Sequence, residues 1–263
     1  MTKVGYKKIG DIVEVDFVKG DNVLIPREYL GIPVILNNHA RFGDVKRVKV
    51  ECSLGSNCCG LFGGLDNLEI VDLEKADILD LEDVSMMFEA CINLKEIKWP
   101  LHETASVLEC REMFCDCYSL ADLGRFYDAV DTSLVKDFAG MFHDCESLSE
   151  FNFDKMDTNS MTNAPFMFSG CGLKNAMLGK FIPNKSTVSA PFMFADCKLL
   201  TKVDAKDFTP TDDSNIEGMF FKCSRLNELL LSQNTASTIG EDYLRGFDGM
   251  KGGGSDACNN VSK

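Results

Sequence analysis

Hydrophobic residues recur along this chain in a pattern that repeats about every 26 residues. The clearest marker is a Met-Phe pair followed by Cys and Leu, as in MFEACINL from Met87 to Leu94. The pairs begin at Met87, Met113, Met141, Met167, Met193 and Met219, in steps of 26, 28, 26, 26 and 26 residues. LFGGLDNL, one period before the first pair, lacks the cysteine, and YLRGFDGM, one period after the last, has lost the pattern. A fixed period of this length predicts a solenoid, whose coils bury their apolar sides against one another.

Each repeat predicts one short strand and one short helical segment. Downstream of the Met, Leu94, Ile97 and Trp99 have an L-x-x-L-x-L spacing that ends in strict alternation, which is typical of a strand with one buried face. Upstream, apolar residues follow a helical spacing, which one repeat shows as Val135, Phe138, Met141 and Cys145. We therefore predict a parallel β-sheet on one side of the coils and short helical or 3₁₀ segments opposite.

The repeated side chains are expected to form ladders, because stacked coils place equivalent residues about 4.8 Å apart. One ladder would consist of offset aromatic rings: Phe88, Phe114, Phe142, Phe168, Phe194 and Phe220. A second would lie under the turn into the strand: Cys91, Cys117, Cys145, Cys171, Cys197 and Cys223. A thiol suits that position because it is small, buries readily and remains a weak hydrogen-bond donor to a neighbouring coil.

The pattern divides the chain into four parts. Residues 1–50 lack the Met-Phe marker and predict an N-terminal β cap, and residues 51–233 predict the solenoid itself. Residues 234–250 would form a C-terminal cap, since terminal repeats are usually atypical. The glycine-rich residues 251–263 predict a flexible tail.

The net charge of −14 is unevenly distributed and argues against several classes of partner. Residues 1–50 carry nine Lys/Arg against six Asp/Glu, so the remaining residues carry a net charge of −17. Such a field disfavours nucleic acid and anionic membrane surfaces. No apolar run approaches the ~20 residues of a membrane-spanning helix. The start, MTKVGYKKIGDIVEVDF, lacks the apolar stretch of a signal peptide, which favours a cytoplasmic location.

The cysteine clusters are weak candidates for metal binding. Cys115 and Cys117 could begin a zinc site, but Cys117 belongs to the ladder and no second pair follows at finger-like spacing. Cys52, Cys58 and Cys59 have no identifiable further ligands, so we interpret them as buried or idle thiols. The sequence therefore predicts no metal site.

No catalytic constellation stands out either. His143 and Cys145 could form a base and a nucleophile, but Cys145 belongs to the buried ladder, where a thiol is normally inert. The sequence contains no phosphate-binding loop, no G-x-S-x-G elbow and no H-E-x-x-H motif. We predict a non-enzymatic protein without a cofactor. Disulfides between neighbouring coils are geometrically possible, but the cysteines repeat with the coil and are not arranged as pairs, which favours reduced thiols.

The repeat resembles that of the BspA-like leucine-rich repeat proteins, whose units read M/A-F-x-x-C-x-x-L-x-x-I/L after a D-T-S-x-V-like segment. That segment occurs here at 131–135 and 157–161, and VLIPREYLGIPVILNN at 23–38 is similar to the family's entry segment. The resemblance covers roughly residues 20–235. It implies leucine-rich-repeat-like coils and, for function, adhesion or recognition of a host protein at a cell surface or after secretion.

The outward positions of the predicted strands are the candidate binding face. They are mainly acidic: Asp72, Glu96, Asp122, Glu150, Asp204 and Glu228. Lys98 and Lys202 interrupt them, and Ile70 and Leu230 could supply apolar anchors. Solenoids present such faces to partners, but a solvated charged surface has the same composition. Calcium binding to the aspartates lacks a regular chelating loop.

Three functions are open at this point. We expect a protein that binds an unidentified partner protein through the acidic sheet face, in adhesion or host-protein recognition. An intracellular decoy or inhibitor of a cytoplasmic protein would suit the absence of a signal peptide better. A purely structural repeat would have no specific partner.

Overall fold

The computed structural model describes residues 2–179, 181–182, 187–206, 211 and 214–231. Over these residues the chain forms a leucine-rich-repeat-like solenoid of about eight turns with almost no helix. We call one turn a coil. The predicted C-terminal cap (234–250) and tail (251–263) lie outside the described residues.

Fifteen short strands and one short helix make up the described regular structure. The elements are β1 Lys3–Ile9, β2 Ile12–Lys19, β3 Asn22–Ile25, β4 Glu28–Tyr29, β5 Ile32–Leu36, β6 Arg41–Phe42, β7 Arg47–Val50, β8 Ser53–Leu54, β9 Ile70–Asp72, β10 Glu96–Lys98, β11 Ala105–Ser106, α1 Phe126–Ala129, β12 Val130–Asp131, β13 Asn175–Met177, β14 Lys202–Ala205 and β15 Glu228–Leu231. Most strands are two to five residues long because only one side of each coil takes part in a given sheet.

The N-terminal residues combine a hairpin with the first coils of the solenoid. Strands β1 and β2 pair antiparallel, and β5 pairs with β2 in parallel. Strands β3, β7, β9 and β10 form one parallel sheet, which we call the N-terminal sheet. Its inward residues alternate with outward ones, and Val23, Val48, Val71 and Ile97 are buried. The parallel sheet therefore continues across residue 50, where the sequence pattern changes.

A second parallel sheet, the C-terminal sheet, consists of β13, β14 and β15. The two coils between the sheets, around residues 122 and 150, contain no strand at the equivalent position. The 28-residue step falls here, and the chain forms α1 instead. The Asn152 N–H donates to the Tyr127 hydroxyl at 3.1 Å, and so it is not available to a neighbouring strand.

The segments around each Met-Phe pair are successive turns, although the sequence predicts short helical or 3₁₀ segments there. Met87 N–H donates to the Val84 carbonyl three residues earlier, whereas Phe88 N–H donates to the Met113 carbonyl of the next coil. Alternate amides thus point along the solenoid axis, which an α-helix cannot do because all its amides point the same way. Left-handed residues such as Met86 (φ 54°) and Ala90 (φ 54°) break the helix in each coil. The only helix in the described residues is α1.

The repeated phenylalanines stack in the core as one continuous ladder. Phe88 and Phe114 have ring centroids 5.5 Å apart and nearly parallel planes (3°), and Phe142 and Phe168 are 5.3 Å apart (7°). Phe62, from the copy without cysteine, adds one more ring at 5.5 Å from Phe88. Each ring covers its neighbours from solvent, so the ladder joins the coils into a single core.

The repeated cysteines form a second ladder that satisfies backbone carbonyls. The Cys91 thiol donates to the Phe62 carbonyl at 3.0 Å, and the Cys145 thiol donates to the Phe114 carbonyl at 3.1 Å. The same bond, at 2.9–3.1 Å, is made by Cys117, Cys171, Cys197 and Cys223. Each thiol therefore ties its coil to the preceding one, in a place where an unpaired buried carbonyl would be costly.

Candidate functional site

The outward side chains of the N-terminal sheet line up in two straight rows. The strand register aligns Asn22, Arg47, Ile70 and Glu96 in one row, and Leu24, Lys49, Asp72 and Lys98 in the other. Together with their counterparts on the C-terminal sheet, we call this surface the sheet face. Its first part contains the predicted residues Ile70, Asp72, Glu96 and Lys98.

Residues from the predicted cap extend this surface and change its charge. Arg47 and Lys49 of β7 lie beside the predicted residues Ile70 and Asp72 of β9. With Lys98, the N-terminal sheet carries three basic side chains against the carboxylates of Asp72 and Glu96. Sequence reasoning missed Arg47 and Lys49 because residues 1–50 lack the Met-Phe marker that fixes the register of later coils.

A shallow depression of about 350 Å³ lies on this surface. Its lining is Asn22, Val23, Leu24, Arg47, Val48, Lys49, Ile70, Asp72 and Lys98. Leu24 is 50% exposed at its edge, which leaves an apolar group in reach of a partner. The depression thus combines an apolar contact with charges of both signs.

The C-terminal sheet presents a second mixed surface. The register aligns Asn175 with Lys202 and Glu228, and Met177 with Asp204 and Leu230. Lys202 Nζ lies 2.7 Å from Glu228 Oε1, so these two predicted residues neutralise each other. Met177 is 49% exposed and Leu230 is half-buried, on either side of Asp204. Sequence reasoning missed Met177 because its repeat has lost one residue, which shifts the expected position.

Asp122 and Glu150 lie between the two sheets, in the coils without a strand. Both are exposed. The structure therefore does not bring all eight predicted charged residues onto one continuous sheet: it places two sets on separate sheets and these two between them.

The aspartates of the predicted face also hold the backbone. The side chains of Asp72, Asp122 and Asp204 each accept a hydrogen bond from the backbone N–H two residues later, at 2.8–3.1 Å. These are Asx turns, which direct the chain out of the strand position and into the next side of the coil. Glu96 and Glu150 make no such bond to a described residue, so they are better probes of binding.

We expect Asp122→Ala to lower the free energy of unfolding by about 1 kcal/mol, because it removes the bond to Gly124 N–H. Asp122→Asn should be nearly neutral, since its amide oxygen can accept the same bond. Thermal unfolding of the two variants, followed by circular dichroism, checks this prediction. Equal destabilisation by both substitutions would contradict the role of the Asx turn.

The cysteine and histidine candidates are held in structural positions. Cys115 is buried, and its partner in the candidate zinc pair, Cys117, donates its thiol to the Phe88 carbonyl at 3.1 Å. Cys52 and Cys58 are fully buried, whereas Cys59 is half-buried. Among the described residues, no group of three or more His, Cys, Asp and Glu side chains has the geometry of a metal site.

Burial governs the thiol chemistry of this chain. It raises the pKa of Cys58, Cys91 and Cys223 to about 12, from an ordinary value of 9.0. The pKa of Cys145 is also raised well above 9.0, first by burial and then by its contact with Cys171. Only a thiolate is an effective nucleophile or metal ligand. His143 therefore has no ionisable thiol beside it with which to form a catalytic pair.

A groove of about 620 Å³ lies away from both sheets, on the turns around the Met-Phe pairs. Its lining is Arg111, Glu112, Cys115, Ala139, Gly140, His143, Pro165, Phe166, Ser169, Phe192, Ala195, Asp196 and Phe221. We call it the aromatic groove. Phe166 and Phe192 stack at 5.3 Å with a 6° angle between ring planes, and Phe221 meets Phe192 edge-on at 6.2 Å.

Sequence reasoning missed the aromatic groove because its rings occupy variable positions of the repeat. Phe166 and Phe192 directly precede Met167 and Met193, where other coils have Glu112 and Gly140. The available signal was Pro-Phe-Met-Phe at 165–168 and 191–194, in which two phenylalanines flank the methionine. The two phenylalanines on either side of the Met point to opposite sides of the turn. Phe168 therefore lies in the core, whereas Phe166 remains outside.

Among the described residues, no helix is long and apolar enough to cross a membrane. A family profile described as "Mycoplasma protein of unknown function, DUF285" matches residues 56–181 and 150–247, which together make up more than half of the 263-residue chain. No curated protein sequence matches the chain significantly.

Three solved structures are similar to this chain. A leucine-rich repeat protein from Bacteroides ovatus is 19% identical, with 89% of this chain and 76% of that chain covered and a TM-score of 0.36. The leucine-rich repeat protein of T. pallidum is 19% identical, with coverages of 86% and 87% and a TM-score of 0.38. A leucine-rich cell surface protein from Faecalibacterium prausnitzii is 12% identical, with coverages of 100% and 97% and a TM-score of 0.38.

Proposed function

This chain belongs to the family described as Mycoplasma proteins of unknown function, DUF285, and we propose that it is a non-catalytic protein that binds a partner protein through its sheet face. The observation that carries the proposal is the register of the two parallel sheets. It aligns the outward side chains of successive coils in rows, with exposed apolar groups among charged ones. Repeat proteins use such extended surfaces to contact partners.

The composition of the sheet face supports protein recognition over binding of a small anion or cation. Leu24 and Met177 are 50% and 49% exposed, and each lies beside charged residues of the neighbouring strand. Apolar anchors surrounded by polar groups are the usual arrangement of a protein interface. The depression on the N-terminal sheet is open and shallow, and it holds charges of both signs rather than a cluster of one sign.

The charge distribution supplies a means of selecting the partner. The N-terminal sheet carries Arg47, Lys49 and Lys98, whereas the coils beyond it carry the exposed carboxylates of Asp122 and Glu150. A partner with an acidic region and a basic region in the matching order would be oriented by this change of sign. The reverse orientation would bring like charges together.

Catalysis has little support in the chain's own chemistry. The ladder thiols that could act as nucleophiles are buried, and burial raises the pKa of Cys91 and Cys223 to about 12. At neutral pH they are protonated and unreactive. A binding role needs none of them, and adhesion or recognition of a host protein is the form of binding that we propose.

The proposal is tested with a bait that carries Arg47→Glu, Lys49→Glu and Glu96→Lys, which inverts charge on the N-terminal sheet without touching an Asx turn. We expect the unmodified protein to capture a partner from a lysate or an extracellular protein mixture, and this bait to lose it at least about tenfold, because three rim charges now repel. Bound proteins are identified by mass spectrometry and the affinity is measured by calorimetry.

The matched control bait carries Lys198→Glu, Arg225→Glu and Asp80→Lys. These residues are exposed and lie outside both sheets, and the substitutions change the net charge by the same amount. The partner should bind the control bait as it binds the unmodified protein. If the two baits lose the partner equally, binding does not occur through the sheet face and the proposal is overturned.

A further inference from the structure

We propose that the aromatic groove is a second interaction surface, which binds an extended peptide segment carrying Lys or Arg side chains next to apolar ones. This surface is distinct from the sheet face, because none of its lining residues belongs to a strand of either sheet. The inference therefore goes beyond the proposed function and can fail or succeed separately from it.

The shape of the groove suits an extended chain with long side chains. The groove has a volume of about 620 Å³ and extends across several successive coils, from Glu112 to Phe221. Buried Ala139 and Ala195 form part of its lining, and the stacked rings of Phe166 and Phe192 add apolar surface. The aliphatic stems of Lys and Arg can lie along such a surface while their charged heads remain in water.

Two of the aromatic side chains are placed at a cost to the backbone. Phe166 and Phe192 both have a φ of 56°, in the left-handed region. This conformation is unfavourable for a bulky residue, and glycine would adopt it without that cost. The equivalent residue of other coils has the same conformation, either as glycine (Gly140, φ 60°, and Gly218, φ 59°) or as a non-glycine residue (Met86, φ 54°). Phe166 is nevertheless 44% exposed, so its burial in the free protein does not account for its presence.

The carboxylates beside the rings are only loosely neutralised. Glu112 lies 3.8 Å from Arg111 and Asp196 lies 3.8 Å from Lys222, whereas Asp144 has the His143 imidazole beside it at 3.5 Å. These separations exceed the ~2.7–2.9 Å of a charge-assisted hydrogen bond, so each carboxylate retains capacity for a stronger donor. Partner ammonium or guanidinium groups can supply those donors.

Further acidic residues make the region strongly negative. Neither Glu89 nor Asp116 has an ion pair with a described residue. The pKa of Glu89 is raised by burial and then by the charges of Glu112 and Asp116. The carboxylates therefore repel one another, and a bound cation would relieve that repulsion.

The chain itself shows how a cation fits beside these rings. Lys222 places its ammonium 5.1 Å from the centre of the Phe221 ring and 3.8 Å from an Asp196 carboxylate oxygen. A ring face and a carboxylate attract the same positive charge. A Lys or Arg side chain of a partner would find the same pair of groups: apolar ring surface and an acidic rim.

Charge also argues against the other occupants of an apolar groove. A second copy of this chain would bring another net charge of −14 against an acidic rim. Nucleic acid and anionic membranes would be repelled in the same way. A cationic peptide segment is the occupant whose charge complements the surface.

The test is an array of octapeptides in which Arg or Lys alternates with Leu or Phe, with matched arrays in which Glu or Ser replaces the cations. We expect the full-length protein to bind the cationic, apolar peptides selectively at ~0.15 M salt, with affinities then measured by fluorescence anisotropy. The variant Phe166→Gly/Phe192→Gly should bind at least about tenfold more weakly. Its fold should persist, because glycine favours the left-handed backbone at both positions.

Two variants that each remove two carboxylates distinguish specific binding in the groove from general attraction to an acidic protein. Glu112→Gln/Asp196→Asn removes two carboxylates from the groove, and Glu96→Gln/Glu150→Gln removes two from elsewhere. The first variant should weaken peptide binding at least about tenfold and the second should leave it within about twofold. Equal losses, no effect of the glycine variant, or no preference for cationic peptides would each overturn the proposal. So would concentration-dependent dimers in light scattering that the glycine variant abolishes.

Discussion

Raising the pH from about 8 to about 10 is expected to remove most of the stability of this protein, because its core contains many buried thiols. Burial raises the pKa of Cys52, Cys58 and Cys91 to about 12 in the folded chain, against an ordinary value of 9.0. Cys110, Cys117, Cys145 and Cys197 are shifted well above 9.0 for the same reason. The thiols of the unfolded chain ionise first as the pH rises.

The direction of the effect follows from proton binding. Well below pH 9.0 the thiols are protonated in both states, so their ionisation costs the folded state nothing. Between 9.0 and about 12 the folded state binds more protons than the unfolded state, so the free energy of unfolding falls with pH. Each thiol contributes a loss of about 1.4 kcal/mol per pH unit. The seven thiols named above would together remove roughly 10 kcal/mol per unit, which is comparable to the whole stability of an ordinary domain.

The measurement is urea unfolding at several pH values in the presence of a reductant, with the slope of stability against pH as the readout. The control is Cys117→Ser/Cys145→Ser, because serine can donate to the Phe88 and Phe114 carbonyls but does not ionise in this range. It should be less stable at neutral pH, but its loss of stability per pH unit above 9.0 should be smaller by about two protons. A stability that is flat from about pH 8 to 10 would contradict the account.

The core of the fold could be predicted from the sequence because the residues that build it repeat. Residues equivalent to Phe142 and Cys145 recur at a nearly constant spacing along the chain. When the coils stack, these equivalent side chains lie on top of one another and form ladders. The turn segments were harder to predict, since apolar residues three residues apart suit both a helix and successive turns. The left-handed φ of residues such as Met86 decides between them, and the available signal was glycine at the same position of two other coils, Gly140 and Gly218.

The candidate surfaces were less predictable because they depend on residues that do not repeat. Arg47 enters the sheet face through strand β7, which has no marker in the sequence. The sheet is interrupted near Asp122 because this repeat has two extra residues and forms the helix α1. The 26-residue period of the sequence does not predict that helix. Phe166 and Phe192 become a groove only because two successive coils carry the same ring at the same variable position.

Truncating one ring of the core ladder is expected to have the second-largest effect. Phe142 is fully buried, with Phe114 stacked at 5.4 Å on one side and Phe168 at 5.3 Å on the other. Phe151 also meets it edge-on at 5.3 Å. Phe142→Ala leaves a cavity in the middle of the stack and should lower the free energy of unfolding by about 3–5 kcal/mol.

The matched control is a phenylalanine of the next coil that lies outside the core ladder, directly before the Met instead of after it. Phe166→Gly removes a ring that stacks on Phe192 at 5.3 Å but is 44% exposed. Loss of the stacking contact costs about 0.5–1.5 kcal/mol, and relief of the left-handed strain at φ 56° returns a similar amount. The net change should be within about 1 kcal/mol.

Thermal and urea unfolding of the two variants at neutral pH distinguish a ring that holds the coils together from one that is available to a partner. Because coils contact only their neighbours, a gap at Phe142 should also reduce cooperativity, so the coils before and after it unfold in separate transitions. Phe166→Gly should retain a single transition. If both variants lose the same stability, the exposed ring is also structural, and the assignment of the aromatic groove to a partner loses its physical basis.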